Sequence, residues 1–273
     1  MNRRNFFRGW PAFVLRALPK RVAQTAYYRV FRARSAQFPE LFRSALLRFA
    51  SSVRMDLVVG DECHGDIAFT GVYELELTRF VVREAKKNGG LLVDIGANFG
   101  YYSLLWAGQG EECQVMAFEA SPRVFQGLSH NIEINDLSRR VTTSSQAVSD
   151  REGRLRFTEA PAGETGSGRV AVVGGMDVTA TTLDHALERI NEVSVLKIDA
   201  EGHDFSVLCG AREAFRRRVF RHVFWEASPQ DFETAHGKKF CQMARENGYE
   251  WAPLNARAQG QQIFHAARCG GKA

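Results

Sequence analysis

The sequence predicts an α/β fold: a doubly wound, mostly parallel sheet of about seven strands with a helical extension at its N-terminus. Two observations support this prediction. The 273 residues, 45% of them hydrophobic, suffice for one domain of roughly 200 residues with a full core and an extension. Short apolar runs also alternate with helical stretches, and such alternation implies βαβ units. The predicted strands lie at about 91–95, 114–119, 141–147, 194–199 and 219–226, and the helices at about 99–108, 122–135, 204–216 and 231–247.

The first 55 residues differ in charge from the rest of the chain. Residues 1–55 contain 12 lysines and arginines and a single acid, Glu40, whereas the other 218 residues contain 24 basic and 30 acidic side chains. The net charge of +5 therefore combines a strongly basic extension with a mildly acidic domain at 56–273. A basic field of this kind can attract an anionic membrane surface or a nucleic acid.

The extension is predicted to form two basic amphipathic helices. Apolar residues recur at helical spacing after Pro19 and again after Pro39, which suits the first turn of a helix. The two apolar sets are Val22, Ala26, Val30 and Ala33, and then Phe42, Leu46, Phe49 and Val53. Such helices can lie on an anionic membrane, or they can pack on the domain and present solvated arginines. An Arg-rich, acid-poor start also resembles an organelle transit peptide.

The cysteines and the apolar runs bear on the compartment. Five scattered cysteines without a CxxC pair encode neither a disulfide framework nor a cysteine zinc site. The run AFVLRAL is interrupted by Arg16 and closed by Pro19, so it is too short to span a membrane. We expect a cytoplasmic protein, with peripheral membrane attachment as the alternative.

Several connecting segments are assigned from local signals. Residues 56–70 contain two short apolar runs around a glycine turn, which predicts a β-hairpin leading into the domain. Val72 to Lys87 follows as a helix, and two last strands near 249–254 and 261–267 would close one edge of the sheet. The span from Ser149 to Thr181 interrupts the alternation with a hairpin near Leu155 to Phe157. The glycine-rich loop from Pro161 to Gly175 within it is long enough to close over a bound molecule.

The most informative segment is VDIGANFGYYS, residues 93–103, where a strand becomes a helix. In an open α/β sheet, this turn lines the ligand crevice. Gly96 and Gly100 permit positive φ, and Asn98 is the residue that best tolerates the left-handed region after glycine. A dinucleotide fingerprint, GxGxxG, would need glycines at 98 and 101, where this chain has Asn98 and Tyr101. An NAD-linked dehydrogenase is therefore disfavoured.

Two acids indicate which nucleoside the crevice holds. Asp94 lies two residues before Gly96, where it could approach a cationic ligand. Glu119 ends the next strand, 23 residues after Gly96, near the spacing at which a carboxylate binds ribose hydroxyls. A ribose-binding acid beside a turn unsuited to pyrophosphate favours S-adenosylmethionine as the cofactor.

The chain resembles the FkbM-type methyltransferases in a series of segments in family order. The resemblance covers roughly residues 56–226 and implies a class I, Rossmann-like methyltransferase. Such an enzyme would move a methyl group from S-adenosylmethionine to a hydroxyl of a sugar, glycolipid or polyketide-like molecule. The matching segments are GVYELE (71–76), VDIGANFGYYS, AFEASP, the pair Asn131 and Asn135, QAVSDREG (146–153), TTLDHAL (181–187) and LKIDAEGHDFSVLCG (196–210).

The same resemblance implies how the cofactor is held. The glycine turn would contact the methionine end, Glu119 the ribose, and the segment at 145–147 the adenine. Asp94 and Asp199 would lie near the methionine ammonium. The expected cofactor-binding residues are Asp94, Gly96, Ala97, Asn98, Gly100, Glu119, Ala120, Gln146, Ala147 and Asp199.

Candidate catalytic residues lie in the segment DAEGHD. Asp199 closes a strand, and Glu201 and His203 follow at two-residue steps, so all three could border the crevice. His203 suits a general base because an unperturbed histidine titrates near neutrality. These acids could instead serve the positive N-terminus of the next helix. Glu226 ends another strand and could join Asp199 and Glu201 around Mg²⁺, but such acids also occur without a metal, and we expect none.

Neighbouring residues have competing interpretations. Lys197, within a buried strand, is expected to be a structural charge partner. Phe99, Tyr101 and Tyr102 could present an aromatic face to a sulfonium, although successive helix positions cannot all do so. The basic N-terminus leaves one alternative of a different class, a nucleic-acid-directed methyltransferase or RNA-binding module. The sequence gives no signal for the acceptor or the oligomeric state.

Overall fold

The computed structural model describes residues 10–161, 163–171, 173–254 and 262–269. Its strands are β1 (Ala45–Leu47), β2 (Ala50–Met55), β3 (Gly90–Ile95), β4 (Cys113–Phe118), β5 (Val141–Ser144), β6 (Ala147–Val148), β7 (Gly153–Thr158), β8 (Arg169–Ala171), β9 (Met176–Thr181), β10 (Val193–Ile198), β11 (Phe220–Ala227), β12 (Tyr249–Pro253) and β13 (Gln262–Arg268). Its α-helices are α1 (Trp10–Ala17), α2 (Lys20–Ala26), α3 (Glu62–Thr70), α4 (Leu75–Asn88), α5 (Tyr101–Ala107), α6 (Pro122–Glu133), α7 (Leu183–Ala186), α8 (Asp204–Cys209), α9 (Arg212–Arg216) and α10 (Ala235–Glu246).

A seven-stranded sheet in the order β12-β13-β11-β10-β3-β4-β5 forms the centre of the molecule. The strands from β11 to β5 are parallel, and β13 runs antiparallel to both of its neighbours. All six residues of β10 are buried, as expected for a parallel strand covered on both faces. The predicted doubly wound, mostly parallel sheet is confirmed.

The position of the ligand crevice follows from the strand order. From β3 the chain continues to β4 on one side, whereas β10, which arrives much later, pairs with the other side of β3. Ligands bind at such a switch point, beyond the carboxyl ends of the strands. Here the residues that follow β3 and β10, Gly96 and Asp199, approach each other closely, and the crevice opens beside them.

A second sheet, β6-β9-β7-β8, occupies the region where the regular alternation stops. The hairpin expected near Leu155 to Phe157 is present, because β7 pairs antiparallel with both β8 and β9. Leu155, Phe157 and Val178 form a small core of its own. The loop between β7 and β8 extends from this sheet towards the crevice.

Two predictions for the segment before α4 are wrong. The second N-terminal helix does not continue past Phe42: Pro39–Phe42 is a single 3₁₀ turn, and β1 and β2 then pair antiparallel. In β2 the buried positions are Ala50, Val53 and Met55, and the side chains between them are exposed. Because Leu47, Val53 and Met55 all join the main core, packing against the domain overrides the helical spacing.

The β-hairpin predicted at 56–70 is instead a turn followed by helix α3. Asp61 caps this helix by accepting the His64 N–H at 2.9 Å, and Gly71 ends it with φ of 74°. Gly65, one of the two glycines of this segment, lies inside the helix, where a Cβ atom would stand 2.1 Å from the Tyr27 hydroxyl. It serves close packing and not a reversal of the chain.

The N-terminal helices pack on α3. Leu15, Ala23, Tyr27, Phe42 and Phe69 share one buried cluster, in which the Tyr27 and Phe69 rings lie 5.2 Å apart. Burial of large apolar side chains contributes roughly 1.5–3 kcal/mol each, so this contact holds the extension against the domain. Within the described residues, no helix has the length and apolar character needed to cross a membrane.

Candidate functional site

The turn after β3 has the backbone that its sequence predicts. Gly96, Asn98 and Gly100 have φ of 67°, 53° and 92°, so Asn98 does occupy the left-handed region. A Cβ atom on Gly96 would stand 1.9 Å from the backbone oxygen of Asp199, which no side chain can accommodate. Glycine at this position therefore lets the ends of β3 and β10 meet at the floor of the crevice.

Glu119 is fixed to this turn by both carboxylate oxygens. Oε2 accepts the Asn98 N–H and Oε1 accepts the Ser121 N–H, each at 2.9 Å. Burial raises the pKa of Glu119 to about 7, although both hydrogen bonds oppose the shift. Each oxygen retains a lone pair for a further donor such as a ribose hydroxyl.

A first cavity of about 700 Å³ lies over the carboxyl ends of β3, β4 and β10. It brings together seven of the ten residues predicted to bind the cofactor. The other three lie elsewhere: Ala97 borders a neighbouring cavity, Gly100 supports the turn, and Asp94 is fully buried. The seven are Gly96, Asn98, Glu119, Ala120, Gln146, Ala147 and Asp199.

Asp94 faces a buried lysine and not the crevice. Its Oδ2 accepts the Ser103 hydroxyl at 2.7 Å, and its Oδ1 lies 3.5 Å from Lys197 Nζ. The same Nζ lies 3.4 Å from Asp199 Oδ2 and donates to the Gly96 carbonyl at 3.1 Å. Although burial disfavours the charge, the Asp199 and Asp94 carboxylates raise the pKa of Lys197, so it stays protonated. Lys197 is thus the structural charge partner that the sequence predicted. Asp94 contacts Lys197, which in turn contacts Gly96 and Asp199 at the crevice.

A second cavity of about 570 Å³ adjoins the first. The two share Gly96, Asn98, Gly166, Asp199 and Glu201, so they meet beside the glycine turn and the end of β10. Phe99 in the turn and Tyr101 and Tyr102 at the start of α5 line this second cavity. Its remaining lining is Met55, Cys63, His64, Ile67, Tyr73, Ala97, Lys197 and Glu226.

Carboxylates with raised pKa values surround the junction of the cavities. Burial, together with the charge of Asp199, raises the pKa of Glu201 to about 7. Burial and the same aspartate raise the pKa of Glu74 to about 7, and Glu74 accepts the Tyr102 hydroxyl at 2.7 Å. Burial and the charges of Asp199 and Glu74 also raise the pKa of Glu226. These groups can therefore exchange protons near neutral pH.

His203 lies away from this junction. It lines the first cavity together with Gln146 and Ala147, and its Nε2 is 2.9 Å from the Ser149 hydroxyl. Burial lowers its pKa, which keeps the imidazole neutral. It is not among the residues that line the second cavity, so its position does not favour the role of general base that the sequence suggested.

Part of the glycine-rich loop forms a roof over both cavities. We call residues 163–168 the roof loop. Thr165 donates to Asp61 Oδ2 from its N–H at 2.6 Å and from its hydroxyl at 2.8 Å, and its Oγ1 accepts the Asn98 side-chain amide at 3.1 Å. Gly166 follows and lines both cavities. The loop is therefore fastened to the glycine turn and to the cap of α3.

Sequence reasoning missed several residues of this site. Tyr73 and Glu74 were visible within GVYELE, but nothing indicated that Glu74 would adopt φ of 41° beside the second cavity. Asp61 and Cys63 were assigned to a hairpin, as was His64, which left their side chains without a direction. In the described part of the chain, no three His, Cys, Asp or Glu side chains are close enough to hold a metal ion.

Comparison with known proteins identifies similar chains. The model of the methyltransferase FkbM domain matches residues 94–251. The hexuronic acid methyltransferase AglP of Haloferax volcanii is 26% identical over 145 residues, which are 52% of this chain and 58% of that protein. The methyltransferase sdnD of Sordaria araneosa is 28% identical over 204 residues, covering 59% of this chain and 77% of that protein. The chain thus spans little more than half the length of AglP.

Solved structures match this chain at low similarity. An O-methyltransferase from Bacillus cereus in complex with S-adenosylhomocysteine has a TM-score of 0.45 and 14% identity, and the match covers 72% of this chain and 81% of that one. Fibrillarin from Aeropyrum pernix with bound S-adenosylmethionine has a TM-score of 0.40 and 11% identity, covering 67% and 68%.

Proposed function

Because the chain belongs to the FkbM methyltransferase family, whose model matches more than half of it, we propose that it O-methylates a hydroxyl of a sugar, glycolipid or polyketide-like molecule with S-adenosylmethionine as donor. One observation carries the proposal. A cavity with a ribose-type acid, Glu119, meets a second, carboxylate-lined cavity at Gly96, Asp199 and Glu201. A donor and a hydroxyl acceptor need two such adjoining spaces.

The donor is proposed to lie across the first cavity. Glu119 would accept the ribose hydroxyls, and Gln146 and Ala147 would border the adenine. Asp199, whose side chain remains 27% exposed at the junction, would accept the methionine ammonium. His203, beside Ser149, would shape the adenine side of the same cavity.

Glu201 is proposed as the general base. Transfer from a sulfonium is an in-line displacement, so the protein mainly aligns the reactants and excludes water. The acceptor hydroxyl must still lose its proton, and a base with a pKa near the working pH is the most effective. Glu201 lines both cavities and has a pKa of about 7. His203 remains the alternative base that the sequence suggested.

The relative AglP supports a sugar as the acceptor, because its name gives hexuronic acid as the molecule it methylates.

Two measurements test the proposed activity. Calorimetry with S-adenosylhomocysteine and NAD should show binding of the first alone, and label from S-adenosylmethionine should appear in a sugar or glycolipid acceptor. Binding of NAD without S-adenosylhomocysteine would refute the proposal.

The N-terminal surface is proposed to contact an anionic membrane. Val14, Val22 and Val30 are 45–58% exposed on a stretch that is rich in arginine. Exposed aliphatic side chains among basic residues suit a lipid interface better than the phosphate backbone of a nucleic acid, which is bound mainly through charge. This contact would place the enzyme near glycolipid acceptors.

Vesicle sedimentation distinguishes the two partners. The protein should bind phosphatidylglycerol vesicles more strongly than phosphatidylcholine vesicles or single-stranded RNA. Val14→Asp with Val22→Asp should weaken vesicle binding. The control Val173→Asp, at a more exposed valine between β8 and β9, should not. RNA binding that exceeds vesicle binding would favour the nucleic-acid-directed alternative.

A further inference from the structure

The buried histidine His64 has one ring nitrogen engaged and one unengaged. It lies on α3 with 1% of its surface exposed, and its Nδ1 accepts the Val58 N–H at 2.8 Å. Since Nδ1 accepts a hydrogen bond, it carries no proton, and the proton of the neutral ring must be on Nε2. Burial lowers the pKa of His64, so the ring is neutral near pH 7.

The Nε2–H has no hydrogen-bond partner within the described residues. The side chain of Asn98 is close enough to oppose the lowering of the His64 pKa, but it does not meet hydrogen-bond geometry with Nε2; its oxygen accepts the Phe99 N–H at 2.7 Å and its nitrogen donates to Thr165. A buried donor without a partner costs roughly 1–3 kcal/mol and requires an explanation. His64 lines the second cavity, so a bound molecule can supply the missing acceptor.

Most other side-chain donors of the second cavity are already engaged; the exception is the Tyr73 hydroxyl, which accepts the Cys63 thiol at 3.7 Å and keeps its own hydrogen for another acceptor. Lys197 is held between Asp94 and Asp199, and the Tyr102 hydroxyl donates to Glu74. The Tyr101 hydroxyl bonds Thr78 and the backbone of Tyr73. The cavity therefore offers carboxylates freely but few uncommitted donors, of which His64 is one.

Bound S-adenosylmethionine would bring an ammonium and a carboxylate to the junction of the two cavities. Its ammonium matches the carboxylate of Asp199, and the carboxylate on the same carbon needs a donor nearby. The reacting hydroxyl of the acceptor makes the opposite demand, because a hydrogen-bond donor on its oxygen would lower the nucleophilicity of that oxygen. The unengaged Nε2–H thus suits the donor's carboxylate and not the acceptor's hydroxyl.

We propose that the Nε2–H of His64 hydrogen-bonds the amino-acid carboxylate of the methyl donor, and that the Val58 N–H fixes the ring for this task. The proposal rests on the proposed function, since it requires S-adenosylmethionine in the crevice. It assigns to α3, a helix before the main sheet, a direct part in cofactor recognition.

Two substitutions separate the two ring nitrogens. In His64→Asn, the amide oxygen can replace Nδ1 and accept the Val58 N–H, while the Nε2–H is lost. In His64→Gln, the amide nitrogen can reach the place of Nε2, while the bond to Val58 is lost. His130→Asn, on the exposed face of α6, serves as the control histidine.

The ligand pair is S-adenosylhomocysteine and 5′-methylthioadenosine, which lacks the amino acid. For His64→Asn, calorimetry should show the Kd for S-adenosylhomocysteine rising roughly 10- to 100-fold, as for a lost bond to a charged group. The Kd for 5′-methylthioadenosine should stay within about threefold, by the same conversion of energy to affinity. His64→Gln should retain much of the affinity despite a lower melting temperature, and His130→Asn should match the wild type.

Other outcomes overturn the inference. Unchanged affinity of His64→Asn for S-adenosylhomocysteine would show that the carboxylate is held elsewhere, even if the KM for the acceptor rises. An equal loss for both ligands would show that His64 only supports the shape of the cavity. Failure of the wild-type protein to bind S-adenosylhomocysteine would refute the proposed function itself, and the inference with it.

Discussion

Glu119 holds the backbone of the glycine turn and is also the proposed ribose acceptor, and the sequence could not separate these two roles. Its oxygens hold the backbone of the glycine turn through Asn98 and of the α6 cap through Ser121, and they still face the first cavity. The residue is therefore both a part of the crevice wall and the proposed ribose acceptor. A test of the second task must exclude effects of the first.

We expect Glu119→Gln to remove selectivity for the ribose hydroxyls. The wild-type protein should bind adenosine more tightly than 2′,3′-dideoxyadenosine by roughly 10-fold, the effect of one hydrogen bond to a charged group. In the variant this ratio should approach one, because a neutral amide accepts fewer hydrogen bonds. Calorimetry measures the four affinities. Glu133→Gln, on the exposed side of α6, should leave the ratio unchanged. A preference that persists in Glu119→Gln would contradict the ribose assignment.

We expect Glu201→Gln to lower kcat by about 10²- to 10⁴-fold with little change in the affinity for S-adenosylhomocysteine. The base must be deprotonated to act, so wild-type kcat should fall as the pH drops through about 7, and the variant should lose this dependence. Assays with labelled donor between pH 6 and 9 measure both effects. Glu188→Gln, on an exposed turn, is the control. A larger loss of kcat in His203→Ala than in Glu201→Gln would return the role of base to His203.

At the scale of elements, the roof loop joins three parts of the chain. Thr165 reaches Asp61 on the cap of α3 and Asn98 in the turn after β3. Thr165, Gly166 and Gly168 of this loop line the first cavity. The strength of these anchors should therefore influence how long a ligand stays bound.

We expect Thr165→Val to accelerate dissociation of S-adenosylhomocysteine roughly 3- to 10-fold, the effect of one or two lost hydrogen bonds. The Thr165 N–H still donates to Asp61, so the melting temperature should change little. Stopped-flow fluorescence on displacement of the ligand measures the rate. Ser167→Ala, which removes an exposed hydroxyl of the same loop that reaches only Glu164, is the matched control. An unchanged rate in Thr165→Val would show that the loop does not limit release.

Five carboxyl groups with raised pKa values lie near the ends of the strands at one edge of the molecule. The pKa values of Glu74, Glu119, Glu201 and Asp204 are all raised to about 7, with burial as the first cause, and that of Glu226 is raised as well. In the unfolded chain these groups titrate near pH 4. Between about pH 5 and 7, the folded state therefore binds more protons than the unfolded state.

The free energy of unfolding should accordingly fall as the pH rises from 6.5 to 8.5, because stability decreases with pH wherever the folded state holds the extra protons. The slope should reach about 1 kcal/mol per pH unit for each of the well-buried groups Glu119 and Asp204. Below pH 6.5, buried histidines such as His265, whose pKa burial lowers to about 4, act in the opposite direction. Urea unfolding at pH 6.5, 7.5 and 8.5 measures the effect.

Glu226→Gln should flatten this dependence and stabilise the protein at pH 8.5, since it removes one charge from beside Glu74 and Asp199. Glu133→Gln should keep the wild-type slope. A free energy of unfolding that rises with pH over this range in the wild-type protein would contradict the protonation states assigned to the crevice.

The sequence by itself determined the sheet, the glycine turn and the acid at its second strand. These features depend on local properties: the period of the apolar residues, the left-handed backbone that Gly96 and Asn98 accept, and the short spacing from Gly96 to Glu119. Even Lys197 was recognisable as a charge partner, because a lysine in a buried strand needs one. The fold and the cofactor could be predicted for this reason.

The tertiary structure alone decided what surrounds that turn. Helix α3 replaced a predicted hairpin because Asp61 caps it and the N-terminal cluster covers it. Asp61 then meets Thr165, 104 residues later in the chain. Asp94 turned to Lys197, and His203 to Ser149, 54 residues earlier. Contacts between distant residues leave no local period or spacing in the sequence, so the second cavity, the roof loop and the unengaged nitrogen of His64 become visible only in the folded chain.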